Sequence, residues 1–471
     1  MEMTSTRRAF LGGVATLAVW PGSLWGGDRP KMPSRRLAVW ETPDAAATDN
    51  VMVRRLYLDL AGRIPTAEEA RAYVASKDPD KRAALVEKLL SSESFVDYWT
   101  MRFCDILRVK SEFPINLWPN AVYVYHSRIR SFVASGETWE SFGRSLITAQ
   151  GSNFRDPEVN FFRATDRRDP DGWAEAVART FLGIAPKALD ENRRRGLSSY
   201  LSNVRIKRTR EWKEEIVFVE GEDRRGKLCD RIFTDDREAV ASAFVARLRE
   251  WIFGPSASRP PADHCRTTVL KEAVRSIVLS DEYARGSVTG GFPVRRLDAE
   301  ILDDIFCSIS GSPRNYHSPA PEPYSFLPKD RPTICIEDGS ISSGFLSLFA
   351  RPARDTGLME ERGSDVTAKQ RLYLFNSADI HRKLGRIFRK SPGVPGGKAD
   401  SSVQIPPANR LDEIYWRLLS RAPSAEERGK VAALWRRRRG DGKKKSKTGY
   451  GELLRDVAWC LINTKEFIYR V

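Results

Sequence analysis

Apolar residues return every three or four positions along most of the chain, which is the spacing of one face of an α-helix. The spacing is clearest in seven segments: residues 99–109, 121–133, 139–149, 173–182, 237–253, 269–279 and 297–309. Each segment suits an amphipathic helix that buries one side and exposes the other. The pattern therefore predicts a mainly α protein made of many helices.

Two long stretches depart from this helical pattern. Residues 205–236 mix basic residues with the strand-like segment 216–219, and residues 312–366 are rich in proline, glycine and serine around the strand-like segment 333–336. Both segments are short apolar runs that contain β-branched residues, which is typical of strands. We expect both stretches to be excursions that carry short β segments.

The two ends of the helical region share one layout. Residues 56–69 and 414–427 each show a helix, a proline break and a new helix. Proline cannot continue a helix, and it is followed by a Thr or Ser with a Glu three residues later, which is the pattern of a capping box. The matching pairs are Pro65 and Pro423, Thr66 and Ser424, and Glu69 and Glu427. We expect related helix-turn-helix units near both ends, with a role in packing.

The first residues resemble an export signal. Arg7 and Arg8 are followed, after one residue, by Phe10 and Leu11, and a weakly apolar run covers residues 12–20. This order is typical of twin-arginine signals, which a receptor reads. The run is shorter than the ~20 residues of a membrane-spanning helix, and no later segment is apolar enough to span a bilayer. We expect export to the periplasm or the cell surface.

These features together predict four parts. A twin-arginine-type signal covers residues 1–30, and a first helical domain covers residues 31–204. An irregular connector over residues 205–236 leads to a second helical domain over residues 237–471. The second domain includes a basic loop at residues 436–447.

The net charge of +16 bears on the choice of partner. A protein this basic is attracted to polyanions such as anionic glycans, lipid headgroups or nucleic acid. Export argues against nucleic acid, so anionic polysaccharide is the favoured partner. Retention of the intact chain in the cytoplasm would revive nucleic-acid binding.

Three basic clusters are candidate anion-binding sites. One lies in a predicted helix, one precedes Trp212 in the connector, and one is the basic loop. Such clusters are also typical of solvated surfaces, so both interpretations are open. The residues are Arg193, Arg194 and Arg195; Lys207, Arg208 and Arg210; and Arg436, Arg437, Arg438, Arg439, Lys443, Lys444 and Lys445.

Sequence motifs of common catalytic and cofactor sites are missing. The four histidines and six cysteines form no H-x-x-x-H, C-x-x-C or C-x-x-C-H pattern, and neither a P-loop nor G-x-S-x-G occurs. Asp298, Glu300, Asp303 and Asp304 cluster at a predicted helix start, where they favour the helix dipole. We therefore expect no metal and no cofactor, with a divalent-metal site at these acids as the open alternative.

A small set of polar residues remains as candidate catalytic groups. Asp59, Asp105 and Arg108 lie on otherwise apolar predicted helices, where a charge destabilises the fold unless it is paired. Asn153 and Arg155 belong to a polar loop. Buried structural ion pairs are the first interpretation of the charged residues. An enzyme site built from Asp105, Arg108 and the two loop residues is the alternative.

Short motifs in a fixed order resemble those of a known family. In the first half they are residues 54–62 with Pro65 and Thr66, then Trp99, Asp105 and Arg108, and residues 151–155 and 180–183. In the second half they are residues 270–283, 295–300, 349–352, 370–376 and 461–467. The chain is similar to the paired domains of unknown function, PSCyt-type followed by PSD-type, of planctomycete and verrucomicrobial surface proteins. These domains are often fused to a cytochrome c domain.

The resemblance carries one departure and one implication. Members of the family commonly have a C-x-x-C-H haem motif after Phe-Leu-Gly, but here residues 181–183 are followed by a segment without Cys or His. Covalent haem at that place is therefore excluded. The family often occurs beside exported proteins with a sulfatase- or phosphatase-like fold, which implies glycan processing at the cell surface. The family has no settled biochemical activity.

Three functions follow as hypotheses. The first is an exported, non-catalytic accessory or binding module for anionic polysaccharide or for a neighbouring sulfatase- or phosphatase-like hydrolase. The signal, the net charge and the missing catalytic motifs favour it. The second is an enzyme with the polar site described above, and the third is nucleic-acid binding by a chain that is not exported.

Overall fold

The computed structural model describes residues 46–254, 267–285, 292–387, 409–439 and 450–470. The predicted signal and the lysines of the basic loop lie outside these ranges, so what was expected of them stays a prediction. The residues concerned are Arg7, Arg8, Phe10, Leu11, Lys443, Lys444 and Lys445.

Short helices make up most of the first half of the chain. They are α1 (Asp49–Ala61), α2 (Ala67–Ala75), α3 (Lys81–Leu90), α4 (Glu93–Ile106), α5 (Pro119–Ala134), α6 (Trp139–Thr148), α7 (Asn160–Arg163), α8 (Pro170–Phe181), α9 (Glu191–Leu201), α10 (Arg225–Asp230) and α11 (Arg237–Phe253). Single turns of 3-10 helix occur at Pro157–Val159 and Pro186–Ala188, and one π-helical turn occurs at Arg231–Asp235.

The second half is also helical, with longer irregular connections. Its helices are α12 (Leu270–Leu279), α13 (Asp281–Ala284), α14 (Ala299–Ser310), α15 (Gly344–Leu348), α16 (Ala368–Asn376), α17 (Ala378–Leu384), α18 (Arg410–Leu419), α19 (Ala425–Arg439), α20 (Tyr450–Ile462) and α21 (Lys465–Ile468). The mainly α class is confirmed, and all seven segments predicted from periodicity fall on helices. The domain boundaries stay predictions.

The β segment predicted within residues 205–236 is a hairpin. β2 (Val204–Arg208) pairs antiparallel with β3 (Glu215–Val219), with Arg208 opposite Glu215. β3 also pairs with β1 (Gly151–Ser152) on its other edge, which makes a three-stranded sheet. Residues 209–214 form the hairpin loop. A second pair joins β4 (Arg295–Arg296) to β5 (Tyr469–Arg470).

The strand-like segment within residues 312–366 is not a strand. Thr333–Cys335 forms one turn of 3-10 helix directly after Pro332. The Asp304 carboxylate accepts hydrogen bonds from the main-chain N–H groups of Thr333 and Ile334, at 2.6 and 3.0 Å. A strand ladder would need a partner strand for these N–H groups, but the carboxylate has already satisfied them. The β-branched composition therefore predicted the wrong element.

Aromatic rings fill the centre of the first half. Trp139 on α6 is fully buried and stacks on Phe244 of α11, with ring centroids 5.4 Å apart. Trp251, also on α11, packs against Trp99 and Phe103 of α4. Stacked and edge-to-face pairs of this kind add to the free energy of burying their large apolar surfaces. Helix α11 therefore belongs to the same core as α4 and α6.

The two predicted capping boxes are present. At the start of α2, the Thr66 hydroxyl accepts from the Glu69 N–H while the Glu69 carboxylate accepts from the Thr66 N–H. Ser424 and Glu427 make the same two hydrogen bonds at the start of α19. In both places an arginine six residues before the Glu pairs with it in a bidentate manner, Arg63 in the first and Arg421 in the second.

The basic loop expected at residues 436–447 is helical at its start. Arg436, Arg437, Arg438 and Arg439 form the last turn of α19, and the structure describes nothing from 440 to 449. Arginine is a good helix former, and cations are stabilised at a helix C-terminus by the helix dipole. These two effects explain why a run of cations continues the helix where a loop was expected.

No helix in the described ranges is long and apolar enough to cross a membrane.

Candidate functional site

The candidate Asp59 is buried at the junction of the two halves of the chain. Its Oδ1 lies 2.7 Å from Nη1 of Arg470 on β5, and its Oδ2 accepts a hydrogen bond of 2.8 Å from the Tyr283 hydroxyl. Burial raises the pKa of Asp59 above its ordinary value, while the charge of Arg470 acts in the opposite direction. Asp59 therefore joins α1 to the end of the chain.

The candidate Asp105, on α4, sits between two arginines of the second half. Its Oδ1 accepts from Arg354 at 2.9 Å and its Oδ2 from Arg362 at 2.6 Å, while Arg362 also bonds Glu300 at 2.7 Å. Burial alone would raise the pKa of Asp105, but the charges of Arg362 and Arg354 outweigh it, so the pKa lies below its ordinary value. Asp105 is thus held as a carboxylate that ties α4 to residues 354–362.

The candidate Arg108 also makes structural contacts. Its Nη1 lies 3.2 Å from the Asp166 carboxylate, and its Nη2 donates to the main-chain carbonyl of Asp355. The side chain is buried, and burial lowers its pKa. Asp59 and Asp105 therefore form the buried ion pairs expected as the first interpretation, whereas the buried Arg108 pairs with Asp166, whose side chain is 69% exposed.

The loop candidates Asn153 and Arg155 lie beside the hairpin. The Asn153 amide donates to the main-chain carbonyl of Lys213 at 3.2 Å and accepts from the Glu215 N–H at 2.8 Å. Arg155 is exposed. Among the described residues, no hydrogen bond or ion pair joins any two of the five candidates. Asn153 therefore holds the hairpin loop in place and is not bonded to the other catalytic candidates.

A cavity of about 300 Å³ brings together other reactive residue types, namely Asp97, His126 and Cys335. Burial, followed by the charge of Arg354, lowers the pKa of His126 to about 3, so the ring is neutral at physiological pH. Burial raises the pKa of the Cys335 thiol, whereas an activated nucleophile needs a lowered one. The Asp97 carboxylate is engaged by Arg130. The pKa shifts and contacts of these three side chains do not match those of a catalytic nucleophile and its base.

The acids at the start of α14 are directed to different partners. Asp298 pairs with Arg102, Glu300 with Arg362, and Asp303 with Arg314. Asp304 accepts main-chain N–H groups, as described above, and burial raises its pKa to about 7. Across the described ranges, no three His, Cys, Asp or Glu side chains are grouped so that they could hold a metal ion.

An exposed aromatic surface lies beside the hairpin. We define the aromatic platform as Trp118, Trp212 and Tyr324. The Trp118 ring lies 6.5 Å from that of Trp212 and 5.6 Å from that of Tyr324, both edge-on. Trp212 is 68% exposed and Tyr324 49% exposed. The three rings come from the loop before α5, the hairpin loop and the second half of the chain.

Cations without an ion pair lie on the hairpin that carries Trp212. The Lys213 Nζ lies 5.3 Å from the centroid of Trp118 and 5.4 Å from that of Trp212. Lys207, Arg208 and Arg210 are exposed on β2 and in the hairpin loop. In the part of the chain that the structure describes, none of these four side chains forms an ion pair. We call Lys207, Arg208, Arg210 and Lys213 the hairpin cations.

The main chain beneath the platform is held in an unfavourable conformation. Trp118 has φ 72° and Lys213 has φ 64°, in the left-handed region that side chains other than glycine seldom adopt. A residue in this region costs about 1–2 kcal/mol, and such residues persist only where the surroundings fix them. Both strained residues carry side chains of the exposed surface.

Buried polar groups fix this surface from below. Glu214, next to Lys213, accepts from Ser152 at 2.6 Å and from Thr209 at 2.8 Å. Glu215 accepts from Arg163 at 2.7 Å and from Arg168 at 3.2 Å. The same two arginines donate to the main-chain carbonyls of Leu117 and Ile115, in the loop that carries Trp118. The hairpin loop and this loop are thus held by one polar framework.

The other predicted anion-binding residues are placed less favourably. Arg194 pairs with Glu175 and Glu191, and Arg195 pairs with Glu191, so part of their charge is neutralised. Arg193 is exposed, as are Arg436 and Arg437 at the end of α19. No aromatic ring is described in contact with these three.

Sequence reasoning found part of this surface and missed the rest. The basic stretch indicates Trp212, which lies two residues after Arg210, but no nearby pattern indicates Trp118 or Tyr324. Their separation along the chain hides them, since Tyr324 is more than one hundred residues after Trp212. A tryptophan that closely follows a run of cations is the sequence signal that could have indicated further aromatic residues at the same surface.

Two family comparisons match the chain in order. Residues 38–194 match PSCyt2, described as a protein of unknown function (DUF1549), and residues 265–435 match PSD1, described as a protein of unknown function (DUF1553). The chain is thus a helical protein with two successive domains of unknown function. It belongs to the PSCyt2–PSD1 family of paired domains, as its motifs indicated. Neither the curated proteins nor the solved structures give a significant match.

The ion pairs of Asp105 lead to a stability prediction. Asp105→Asn removes the charge that compensates Arg354 and Arg362, and breaking a buried pair in this way costs about 3 kcal/mol. We expect a loss of that size in the free energy of unfolding at pH 7, measured with urea. Glu87→Gln is the matched control, because Glu87 pairs with Arg275 on the surface and is 54% exposed. Its expected effect is below about 1 kcal/mol.

The same pair predicts a pH dependence. The pKa of Asp105 is lower in the folded than in the unfolded chain, where it is near 3.8, so its stabilising effect is complete above that value. The effect is lost as the pH falls towards the folded pKa. The difference in the free energy of unfolding between wild type and Asp105→Asn should therefore be constant from pH 6 to 7 and become smaller below pH 4. Equal stabilities at pH 7 would contradict the role given to Asp105.

Proposed function

We propose that this chain is an exported, non-catalytic binding module that holds anionic polysaccharide at the cell surface. The observation that carries the proposal is the aromatic platform, with Lys213 against two of its rings and the other hairpin cations on the same hairpin. Exposed rings lie next to Lys213, which forms no ion pair in the described structure. A surface of this kind suits a polymer that offers apolar faces and negative charges together.

The chemistry of sugars fits both the aromatic rings and the cations of this surface. Each pyranose ring has a face of C–H groups that packs on an aromatic ring, and tryptophan and tyrosine lose little entropy in such contacts. Sulfate and carboxylate groups on the sugar accept charge-assisted hydrogen bonds from lysine and arginine. The net charge of +16 attracts such a polymer from a distance.

The contacts of the catalytic candidates support a binding role over an enzymatic one. Asp105 and Arg108 are engaged in ion pairs, Asn153 supports the hairpin loop, and His126 has a pKa far below physiological pH. Members of a catalytic site would instead have pKa values matched to proton transfer near neutral pH.

Binding to heparin, a sulfated chain, and to alginate, a carboxylated chain, tests the proposal. We expect saturable binding of the purified chain to at least one of them and none to neutral dextran, measured by isothermal titration calorimetry. Trp212→Ala should weaken the affinity at least about fivefold, because one stacked ring contributes roughly 1 kcal/mol or more. Leu372→Ala is the control, since Leu372 is a similarly exposed apolar residue on α16, at 61% against 68% for Trp212.

Two double variants with the same net charge distinguish binding at the hairpin from attraction by the net charge alone. Lys207→Glu with Arg208→Glu changes the net charge by the same amount as Lys77→Glu with Lys88→Glu, and all four side chains are exposed. The hairpin variant should lose binding and the control should keep most of it. Equal losses in the two would show attraction by net charge only. Tighter binding to duplex DNA than to either polysaccharide would favour nucleic acid as the partner.

Export is tested separately by fractionation of cells that express the tagged chain. We expect wild type outside the cytoplasm and the Arg7→Lys/Arg8→Lys variant inside, because the receptor reads both arginines. A surface variant such as Lys77→Ala should behave as wild type. Wild type found only in the cytoplasm, at full length, would contradict export.

A further inference from the structure

The first strand of the hairpin, β2, lies at an edge of the three-stranded sheet. The strand order is β1–β3–β2, so β3 is in the middle and the five residues of β2 end the sheet on one side. An edge strand presents a row of main-chain N–H and C=O groups to its surroundings and can accept a further strand. The register of the hairpin determines which residues carry these groups.

Hydrogen bonds at both ends of the hairpin fix that register. The Thr209 N–H donates to the Glu214 carbonyl at 3.2 Å, and the Glu220 N–H donates to the Asn203 carbonyl at 2.9 Å. Opposite residues of an antiparallel pair alternate between hydrogen-bonded and non-hydrogen-bonded positions. Because residues 203 and 209 are both bonded to the second strand, the odd-numbered residues between them are bonded to it as well.

The outer edge of β2 therefore belongs to Ile206 and Arg208. Arg205 and Lys207 direct their main-chain N–H and C=O groups to β3. The corresponding groups of Ile206 and Arg208 point the other way, and they have no main-chain hydrogen-bond partner in the described ranges. The edge is thus open along two consecutive positions that could each bond to an added strand.

Solvent reaches this edge from both faces of the sheet. Side chains alternate along a strand, so Arg205 and Lys207 lie on one face while Ile206 and Arg208 lie on the other. Arg205, Lys207 and Arg208 are exposed. An element packed along the edge would cover side chains on at least one face. The exposure of cations on both faces therefore indicates an edge that a partner can approach.

The charge of the strand selects the partner. β2 contains three cations and no acid. Arg205 pairs with Glu220, but Lys207 and Arg208 form no ion pair in the described structure. A second copy of β2 would place like charges opposite each other, which destabilises a sheet. An extended segment rich in aspartate and glutamate has the complementary charge.

We propose that β2 receives an extended acidic segment of another protein, which adds to the sheet as a fourth strand. The main chain of the segment bonds to Ile206 and Arg208, and its carboxylates lie beside the cations of β2. The proposal does not rest on polysaccharide binding, although Lys207 and Arg208 belong to both surfaces.

A synthetic peptide of alternating valine and glutamate, about eight residues long, tests the proposal on the full chain. This length is within the usual range of a strand, and valine favours the extended conformation. We expect binding at a single site by isothermal titration calorimetry at pH 7. The same peptide with lysine in place of glutamate should not bind. Absence of binding of the glutamate peptide, or equal binding of the lysine peptide, would overturn the proposal.

N-methylated forms of the peptide test whether it binds as a strand. Methyl groups on the valine nitrogens remove the N–H groups from one edge of the extended peptide, and methyl groups on the glutamate nitrogens remove them from the other. Only one of the two forms should lose binding, because only one edge of the peptide faces β2. Equal affinities of the two forms would show attraction by charge alone and would contradict the proposal.

Arg208→Pro tests the edge from the side of the protein. Proline removes the outward N–H and is tolerated on an edge strand where that N–H faces solvent. Arg208→Ala is the matched control, because it removes the same cation and keeps the N–H. The proline variant should bind the glutamate peptide at least about tenfold more weakly than the alanine variant, which corresponds to roughly 1.4 kcal/mol. Equal affinities in the two folded variants would overturn the proposal, and if the proline variant does not fold, the methylated peptides decide on the wild type.

Sedimentation without peptide tests a second copy of the chain as the occupant of the edge. We expect wild type and Arg208→Pro to have the same oligomeric state, because the cations of β2 oppose its pairing with itself. A wild-type dimer that is lost in the folded proline variant would show self-pairing and would overturn the proposal.

Discussion

The buried carboxylate of Asp105 is the contact on which the arrangement of the two halves depends. It stands on a helix of the first half, is 14% exposed, and receives two arginines of the second half. Two further ion pairs, Asp59 with Arg470 and Arg102 with Asp298, also join the first half of the chain to the second. Ions taken out of water must be paired, and the pairs cannot separate without leaving charges uncompensated. This requirement, added to apolar packing, fixes how the two domains meet.

The exposed surface depends on that arrangement. Trp118 and Trp212 come from the first half, but Tyr324 comes from the second, so the aromatic platform is complete only when the halves are joined. The framework of Asn153, Glu214 and Glu215 then holds the hairpin loop so that its lysine and its tryptophan stay in the open. Polar groups beneath the hairpin loop thus determine the geometry of an exposed surface of which they are not themselves part.

Helices, capping boxes and family could be predicted because they depend on neighbours in sequence. Thr66 and Glu69 are three residues apart, and the turn of the helix brings them together whatever the rest of the chain does. Thr333–Cys335 shows the limit, since β-branched composition indicated a strand while the distant Asp304 selected a 3-10 turn. The platform was beyond prediction for the same reason. Its rings are far apart in sequence and meet only through tertiary contacts.

The aromatic platform and the hairpin cations form the surface that we propose receives an anionic polysaccharide. Hydrogen–deuterium exchange, with and without saturating heparin or alginate, tests it most directly because it reports where the ligand lies. Protection is expected in residues 204–219, around residue 118 and around residue 324. Protection confined to α9 or α19, or the absence of any change at the hairpin under saturating ligand, would contradict it.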